Sequence, residues 1–386
     1  MKYIKSIKLA DLLIVIVGVA LAVAVRYSLL SFKSGDYLDY TRKWYNTIKS
    51  LGFSGFRSDF SNYNPPYLYL LYFIIRFFPD IPSLIVTKLP SIVSDFILAW
   101  LVMRIVRLKY PQSPIPLFAG FTALFAPTVI LNSAFWGQAD SLYTTFLMAA
   151  LYFFMLRKNF WAMFFWGVAI AFKMQAVFVA PVIFALFLRK EISWKHLLLV
   201  PLVMFAALVP AWIAGRSILD LLKIYPSQTG QYQQLSMSAP SLYSWIPNYG
   251  RYFLYFHSAG LVFAAMVGLY YSLYIYKSRL GLTPALILTF FLGSVILMPF
   301  VLPQMHERYF YPADVISIIF AFYFPEYFFV PIIMTTISFF AYQPYLFNVE
   351  PIPIGVLAIG VLGLLVLMAR HVYNIQISNS RLETES

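Results

Sequence analysis

The sequence predicts an all-α polytopic membrane protein, a bundle of about 10–12 transmembrane helices with interfacial helices in its first external loop. Of its 386 residues 61% are hydrophobic and only 11% charged, at a mean hydropathy of +0.76, a balance that no water-soluble domain of this length sustains. Apolar runs of about 20 residues recur along the chain, each long enough to cross about 30 Å of hydrocarbon. They are solid blocks rather than the short alternating segments of a barrel, and helices satisfy their own backbone hydrogen bonds in lipid.

The first helix is read over 9–30, with Lys2, Lys5 and Lys8 ahead of it. Ala20-Leu21-Ala22 looks like a signal cleavage site, but the apolar core is too long for a signal, so an uncleaved span with a cytoplasmic N-terminus is expected. The loop 31–64 follows. Within it Tyr37, Tyr40 or Trp44, Ile48 and Leu51 recur at three- and four-residue spacing, which predicts an amphipathic helix with its aromatics at headgroup depth. Asn64-Pro65-Pro66-Tyr67 restarts the chain, and the run to Phe78 is marginal for a span. Further apolar segments cover 84–107, 115–133, 141–157, 160–188, 197–214, 252–276, 283–302, 309–325, 327–346 and 353–370.

Basic loops test the threading. Arg104, Arg107 and Lys109, Arg157 and Lys158, Arg189, Lys190 and Lys195, Lys277 and Arg279, and Arg370 and Arg381 all fall on the cytoplasmic side if the N-terminus does. This requires 160–188 to enter and return on one side, with Lys173-Met174-Gln175 at the break. It also requires 66–78 to be interfacial or re-entrant, or 84–107 to be broken. The segments 31–64, 134–140, 215–251 and 303–308 are then external and 371–386 is a cytoplasmic tail. The loop 215–251 is amide-rich and aromatic, with Tyr225, Gln228, Gln231, Tyr232, Tyr243 and Trp245, and long loops of this kind carry function. No internal repeat and no appended soluble domain is visible, so 1–386 reads as one membrane domain.

The net charge of +13 belongs to these short loops and forms no long basic tract, so nucleic-acid binding is not expected. With Cys at 0 there is no disulfide, thiol nucleophile or thiolate metal site. No Gly-rich phosphate loop, HExxH or Ser/His/Asp signature is present.

Four polar clusters thread to one face: Asp36 in the first loop, Trp136-Gly137-Gln138-Ala139-Asp140, Lys173-Met174-Gln175 and His306-Glu307-Arg308. Ionisable groups at membrane depth are costly, so Lys173, Asp95, Asp140, Arg308 and Asp314 need partners or a hydrated cavity. A carboxylate base beside cations at an interface suits transfer of a sugar from a polyprenyl-phosphate carrier. The carboxylate takes the acceptor proton, and Arg and Lys stabilise the departing phosphate. Structural roles compete with each assignment. Asp36 suits an N-cap, Asp39 a solvated face, Asp140 a cap on 141–157 and Trp136 an interface anchor. Glu307 suits an orienter of Arg308, His306 a hydrogen-bonding support, and Lys88 with Asp95, seven residues apart, a two-turn ion pair.

These pieces resemble integral-membrane glycosyltransferases of the GT-C superfamily, in the bacterial group similar to the GPI-anchor mannosyltransferase. The resemblance rests on Ser34-Gly35-Asp36-Tyr37 with Trp44; Ser61-Asn62-Tyr63-Asn64-Pro65-Pro66-Tyr67-Leu68-Tyr69; Lys88 with Asp95; Phe135-Trp136-Gly137-Gln138-Ala139-Asp140-Ser141; Ala171-Phe172-Lys173-Met174-Gln175-Ala176; and Met305-His306-Glu307-Arg308-Tyr309-Phe310. The resemblance implies a GT-C-like bundle in which Asp36 is the catalytic base, with Asp39 as substitute. It implies a donor phosphate held by Arg308, His306 and Lys173, and sugar or substrate contacts from Trp136, Gln138, Asp140, Gln175, Asn64, Tyr67 and Glu307. The donor would be a polyprenyl-phosphate-linked hexose, mannose foremost, transferred with inversion to a glycolipid, polysaccharide or protein acceptor. It implies a bacterial plasma membrane with the active face outward. Metal dependence is typical of the oligosaccharyltransferase branch, whose large soluble domain is missing here, so neither metal nor cofactor is expected. A lipid-linked-sugar flippase and a non-catalytic subunit of a mannosyltransferase complex are the rival readings.

Overall fold

The computed structural model describes residues 9–228, 232–247, 253–278 and 280–385. Lys2, Lys5, Lys8, Asn248, Arg251, Arg279 and the stretch 229–231 lie outside the described residues. Helix α1 (Leu9–Leu29) leads into a loop bearing a π-helical turn (Tyr37–Thr41) and α2 (Arg42–Leu51). Then come α3 (Pro65–Phe77), α4 (Ser83–Lys109), α5 (Ile115–Leu124), and α6 (Pro127–Ile130), which continues as a π-helical turn (Leu131–Trp136). α7 (Asp140–Met155), α8 (Asn159–Phe172), a 3₁₀ turn (Met174–Val179) and α9 (Ala180–Leu188) follow. Next are α10 (Trp194–Leu197), α11 (Leu199–Ile213), α12 (Ile218–Gln228), strand β1 (Ser236–Met237), α13 (Phe253–Lys277) and α14 (Pro284–Val301). Strand β2 (Met305–His306), α15 (Tyr311–Tyr323), α16 (Phe329–Phe347) and α17 (Ile354–Glu385) complete the chain.

Among the described residues seven helices are long and apolar enough to cross a membrane, and eight if the pair around the 48° bend between α5 and α6 counts as one span. The sequence-based count of 10–12 also took in shorter apolar helices such as α8 and α9. The bundle is an all-α polytopic membrane fold. α7, α14 and α15 are buried almost throughout and form the core with α4. α1, α11 and α13 leave most of their apolar surface exposed, as helices facing lipid do.

The two parity questions resolve by length. α4 is one unbroken helix of 27 residues despite Pro90. α3 has 13 residues, about 20 Å at the α-helical rise, and so falls short of a crossing. The segment 160–188 folds back on itself. Arg157 Nη1 meets Glu191 Oε2 at 2.7 Å, and Asn159 Nδ2 donates to Glu191 O at 2.5 Å, so its two ends lie together. Trp166 Nε1 donates across the arms to Ala176 O at 2.8 Å.

The basic loops share one end of the bundle. Arg104 donates to the Tyr152 hydroxyl at 3.0 Å, Arg157 to Leu282 O at 2.5 Å and Arg189 to Leu280 O at 2.6 Å. α2 is amphipathic, and its aromatic face packs onto protein. Trp44, Tyr45 and Ile48 are buried against Tyr67, Leu68 and Leu71 of α3, because a protein surface of matching shape lies within reach. The tail 371–385 continues α17 as helix.

Candidate active site

The end of the bundle remote from the basic loops gathers all four polar clusters. Asp36 begins the π-helical turn, yet its carboxylate makes no cap hydrogen bond. Ser34 takes that part, accepting from Tyr37 N at 3.2 Å while donating to Trp136 O at 2.8 Å. The Asp36 carboxylate is thereby released to face the second cluster. Its Oδ2 accepts from Trp136 Nε1 at 2.8 Å and from Gln138 Nε2 at 2.5 Å, and the Tyr345 hydroxyl reaches the same group. The chain is closely packed on both sides of this junction. A Cβ on Gly35 would stand 3.1 Å from the Tyr345 hydroxyl. Gly137 has φ +85°, in the left-handed region that favours glycine, and a Cβ there would lie 3.2 Å from Lys88 Cγ.

Lys88 and Asp95 do not form the expected ion pair. Seven residues of helix separate them by about 10.5 Å along the axis, beyond the three- or four-residue spacing at which side chains meet. Lys88 Nζ instead donates to Leu30 O, Phe32 O and Phe135 O at 3.1, 2.8 and 2.9 Å, clamping the strands of chain that carry Asp36 and Trp136. Asp95 pairs with buried Arg26 of α1, Nη2 to Oδ2 at 2.8 Å, and accepts from Ser133 Oγ at 2.5 Å.

Lys173 sits where α8 stops, in an extended conformation (φ −155°, ψ 131°), and its ammonium pairs with Asp140 Oδ1. Asp140 opens α7 but is no cap. Fully buried, its Oδ2 accepts from Asn132 Nδ2 at 2.9 Å and lies 3.7 Å from Arg308 Nε. Arg308 Nη1 bonds to Glu307 Oε1 at 2.9 Å and lies 3.4 Å from His306 Nδ1, and its guanidinium lies 5.4 Å from the centre of the Trp136 ring. Arg308 thus links the Asp36 cluster to the Lys173 cluster. Burial, then the neighbouring Arg308, pushes the His306 pKa down. Burial pushes Glu307 up, but the His306 hydrogen bond and the Arg308 charge outweigh it and hold its carboxyl below the usual range.

Two cavities meet here. The larger, about 380 Å³, is lined by Lys173, Gln175, Asn64, His306 and Arg308 on its polar side and by Phe178, Leu261 and Met298 on its apolar side. The smaller, about 50 Å³, contains Asp36, Tyr40, Trp44, Tyr67 and Gln138. Asn62, Tyr63, Tyr232 and Arg308 line both. Asn64 Nδ2 donates to Ala171 O at 3.0 Å, and the Tyr67 hydroxyl to Thr87 O at 2.9 Å, so each is held rigidly in the wall.

Three expected sugar contacts line neither cavity. Trp136, Asp140 and Glu307 are 1%, 0% and 2% exposed and stand behind the wall, holding Asp36, Lys173 and Arg308 in place. Asp39 is exposed on a solvated face. Arg216 pairs with Asp59 at 2.5 Å and lines neither cavity.

The loop after α12 reaches the site through strand pairing. β1 runs parallel to β2 with Met237 opposite His306, and Gln304 Nε2 donates to Tyr232 O at 2.5 Å. The Tyr232 ring packs edge-on against His306, centroids 5.5 Å apart. Tyr232 was read only as part of the amide-rich loop 215–251, and Tyr345, inside an apolar segment, was not singled out. Tyr63 lay inside a quoted motif without being assigned. No group of three or more metal-ligating side chains is found among the described residues.

These features define an all-α membrane protein with a charged, aromatic-walled cavity pair at one end. No family model matches the chain, and no curated protein does. Its fold is that of a polytopic helical membrane protein. It is shared with the crystal structure of ArnT from Cupriavidus metallidurans bound to undecaprenyl phosphate, at a TM-score of 0.56 and 16% identity over 96% of this chain and 72% of that one. At that identity the likeness is one of fold.

Proposed function

We propose that the chain is a glycosyltransferase that moves a sugar, a hexose such as mannose foremost, from a polyprenyl-phosphate carrier to an acceptor hydroxyl. The observation that carries this reading is the juxtaposition at Arg308. One guanidinium borders the small cavity that holds Asp36 and the large cavity that holds Lys173 and His306. A lipid-borne phosphate in the large cavity would sit between cations, with its hydrocarbon along Phe178, Leu261 and Met298. The ArnT structure, bound to undecaprenyl phosphate, supports a carrier of this class.

In the reaction the acceptor oxygen attacks the anomeric carbon from the Asp36 side. The C1–O bond to phosphate breaks as the new C1–O bond forms, inverting the centre. The acceptor proton passes to the Asp36 carboxylate, and the phosphate leaves with the bonding pair beside Arg308 and Lys173. Trp136 and Gln138 fix the carboxylate's orientation. Tyr63, Tyr67, Gln175 and Asn64 offer rings and amides to the sugars. The basic loops at the opposite end favour an orientation with the site on the external face of a bacterial plasma membrane.

The test incubates purified protein with radiolabelled polyprenyl-phosphate sugars and membrane extract, with and without a chelator and with Asp36→Asn. Transfer of label by the wild type, lost by a factor of about 10²–10⁴ in the variant while donor binding persists, is the expected result. Unimpaired transfer by the variant refutes the assignment of the base. Donor translocation without transfer favours the flippase.

A further inference from the structure

We propose that the apolar hollow at the end of the bundle away from Asp36 binds an anionic phospholipid, with one acyl chain in the hollow and the phosphate at Lys109. The hollow, about 680 Å³, lies between α5, α15 and α16, walled by Ile115, Phe125, Ile318, Phe322 and Ile332. Its only side-chain hydroxyls besides Tyr110 are spent locally: Thr122 donates to Phe118 O at 2.9 Å and Thr335 to Pro331 O at 2.6 Å. Nothing within it selects a polar ligand. Phe328 and Ile332, which line it, are 64% and 57% exposed, so it communicates with hydrocarbon.

The direction of the hollow follows from its walls. The site end of these helices is marked by Trp136, Arg308 and Tyr345, whereas the hollow uses residues 115–127, 318–325 and 328–335, the opposite halves. It therefore lies in the other leaflet and reaches from the basic loops towards the α5–α6 bend.

Tyr110 closes the outer end, its hydroxyl donating to Phe322 O at 3.0 Å. Lys109 Nζ lies 5.2 Å from the centre of that ring and bonds to Tyr323 O. An ammonium has three donors, and this one keeps two on an exposed side chain. Neither Lys109 nor exposed Arg107 makes an ion pair among the described residues. Glu326, in the turn after α15, makes no ion pair among the described residues and acts electrostatically on His371. Uncompensated positive charge above an apolar slot complements a lipid with a net negative headgroup over a zwitterionic one.

The test is native mass spectrometry of the full-length protein, supplied with equimolar dioleoyl phosphatidylglycerol and dioleoyl phosphatidylethanolamine. One phosphatidylglycerol is expected to persist under activation that strips phosphatidylethanolamine. Lys109→Gln should reduce its retention about fivefold, the size of one Lys contact to an anionic surface. Ala321→Phe, which fills the hollow, should abolish it. Equal retention of the two lipids overturns the proposal, as does retention unchanged in Lys109→Gln, an exposed position whose folding is not at stake. A polypeptide found seated in the hollow also overturns it.

Discussion

Asp140→Asn removes the one carboxylate that Lys173 and Arg308 share. Lys173 pairs with Oδ1, and Arg308 Nε lies 3.7 Å from Oδ2. A cation about 4 Å from a carboxylate interacts by about 4 kcal/mol at an effective dielectric of 20. Arg308 keeps Glu307, and Lys173 borders a cavity that water can enter, so part of this is recovered. A net loss of about 3 kcal/mol is expected, at the low end of the range for breaking a buried pair. The same change removes a competitor for phosphate. Polyprenyl phosphate should therefore bind the variant about tenfold more tightly, or 1.4 kcal/mol, and should restore part of the lost stability. Unfolding in a denaturing detergent titration, with and without polyprenyl phosphate, reads both quantities. A stability loss below about 1 kcal/mol, or ligand binding no tighter than the wild type's, refutes the reasoning.

Arg308→Lys keeps the charge but loses the fork that reaches both Glu307 and Asp140, and kcat/KM should fall about 100-fold, as expected for a lost charge-assisted contact of roughly 3 kcal/mol. Steady-state kinetics decide it, and near-normal values would mean a point charge suffices. Gly137→Ala places a Cβ at φ +85° against Lys88 and should cost about 1–2 kcal/mol in the same unfolding titration. His306 is depressed in the fold, so the unfolded chain binds the extra proton first. Stability should fall as pH drops through about 6.5 towards the lower folded pKa. His306→Gln should flatten that slope, and a slope unchanged by the substitution would assign it elsewhere.

Much of the fold was legible because lipid leaves the backbone few options. Apolar length alone gave the helices, and the basic loops gave the fold-back at Lys173, whose two ends do meet at Arg157 and Glu191. The polar clusters also converge as their shared face required. What sequence spacing did not show is which partner a buried charge takes. Asp95 looked towards Lys88 on its own helix, yet pairs with Arg26 across 69 residues. Nor could it show which residues touch a cavity and which stand behind it. Trp136 and Asp140 stood out as strongly as Gln138, yet all three are buried and of them Gln138 alone borders a cavity. Tyr232 reaches the site through a two-residue parallel pairing too short to leave any periodicity.

Three carbonyl oxygens converging on the Lys88 ammonium bear on how the protein is made. During synthesis the first helix is complete by Leu29, but its exit strand at Leu30 and Phe32 has no anchor until Lys88 is synthesised, and the third oxygen arrives only with Phe135. The segment bearing Asp36 therefore acquires its final position after more than a third of the polypeptide has left the ribosome. A nascent chain arrested before that point would hold an inserted first helix and an unset base.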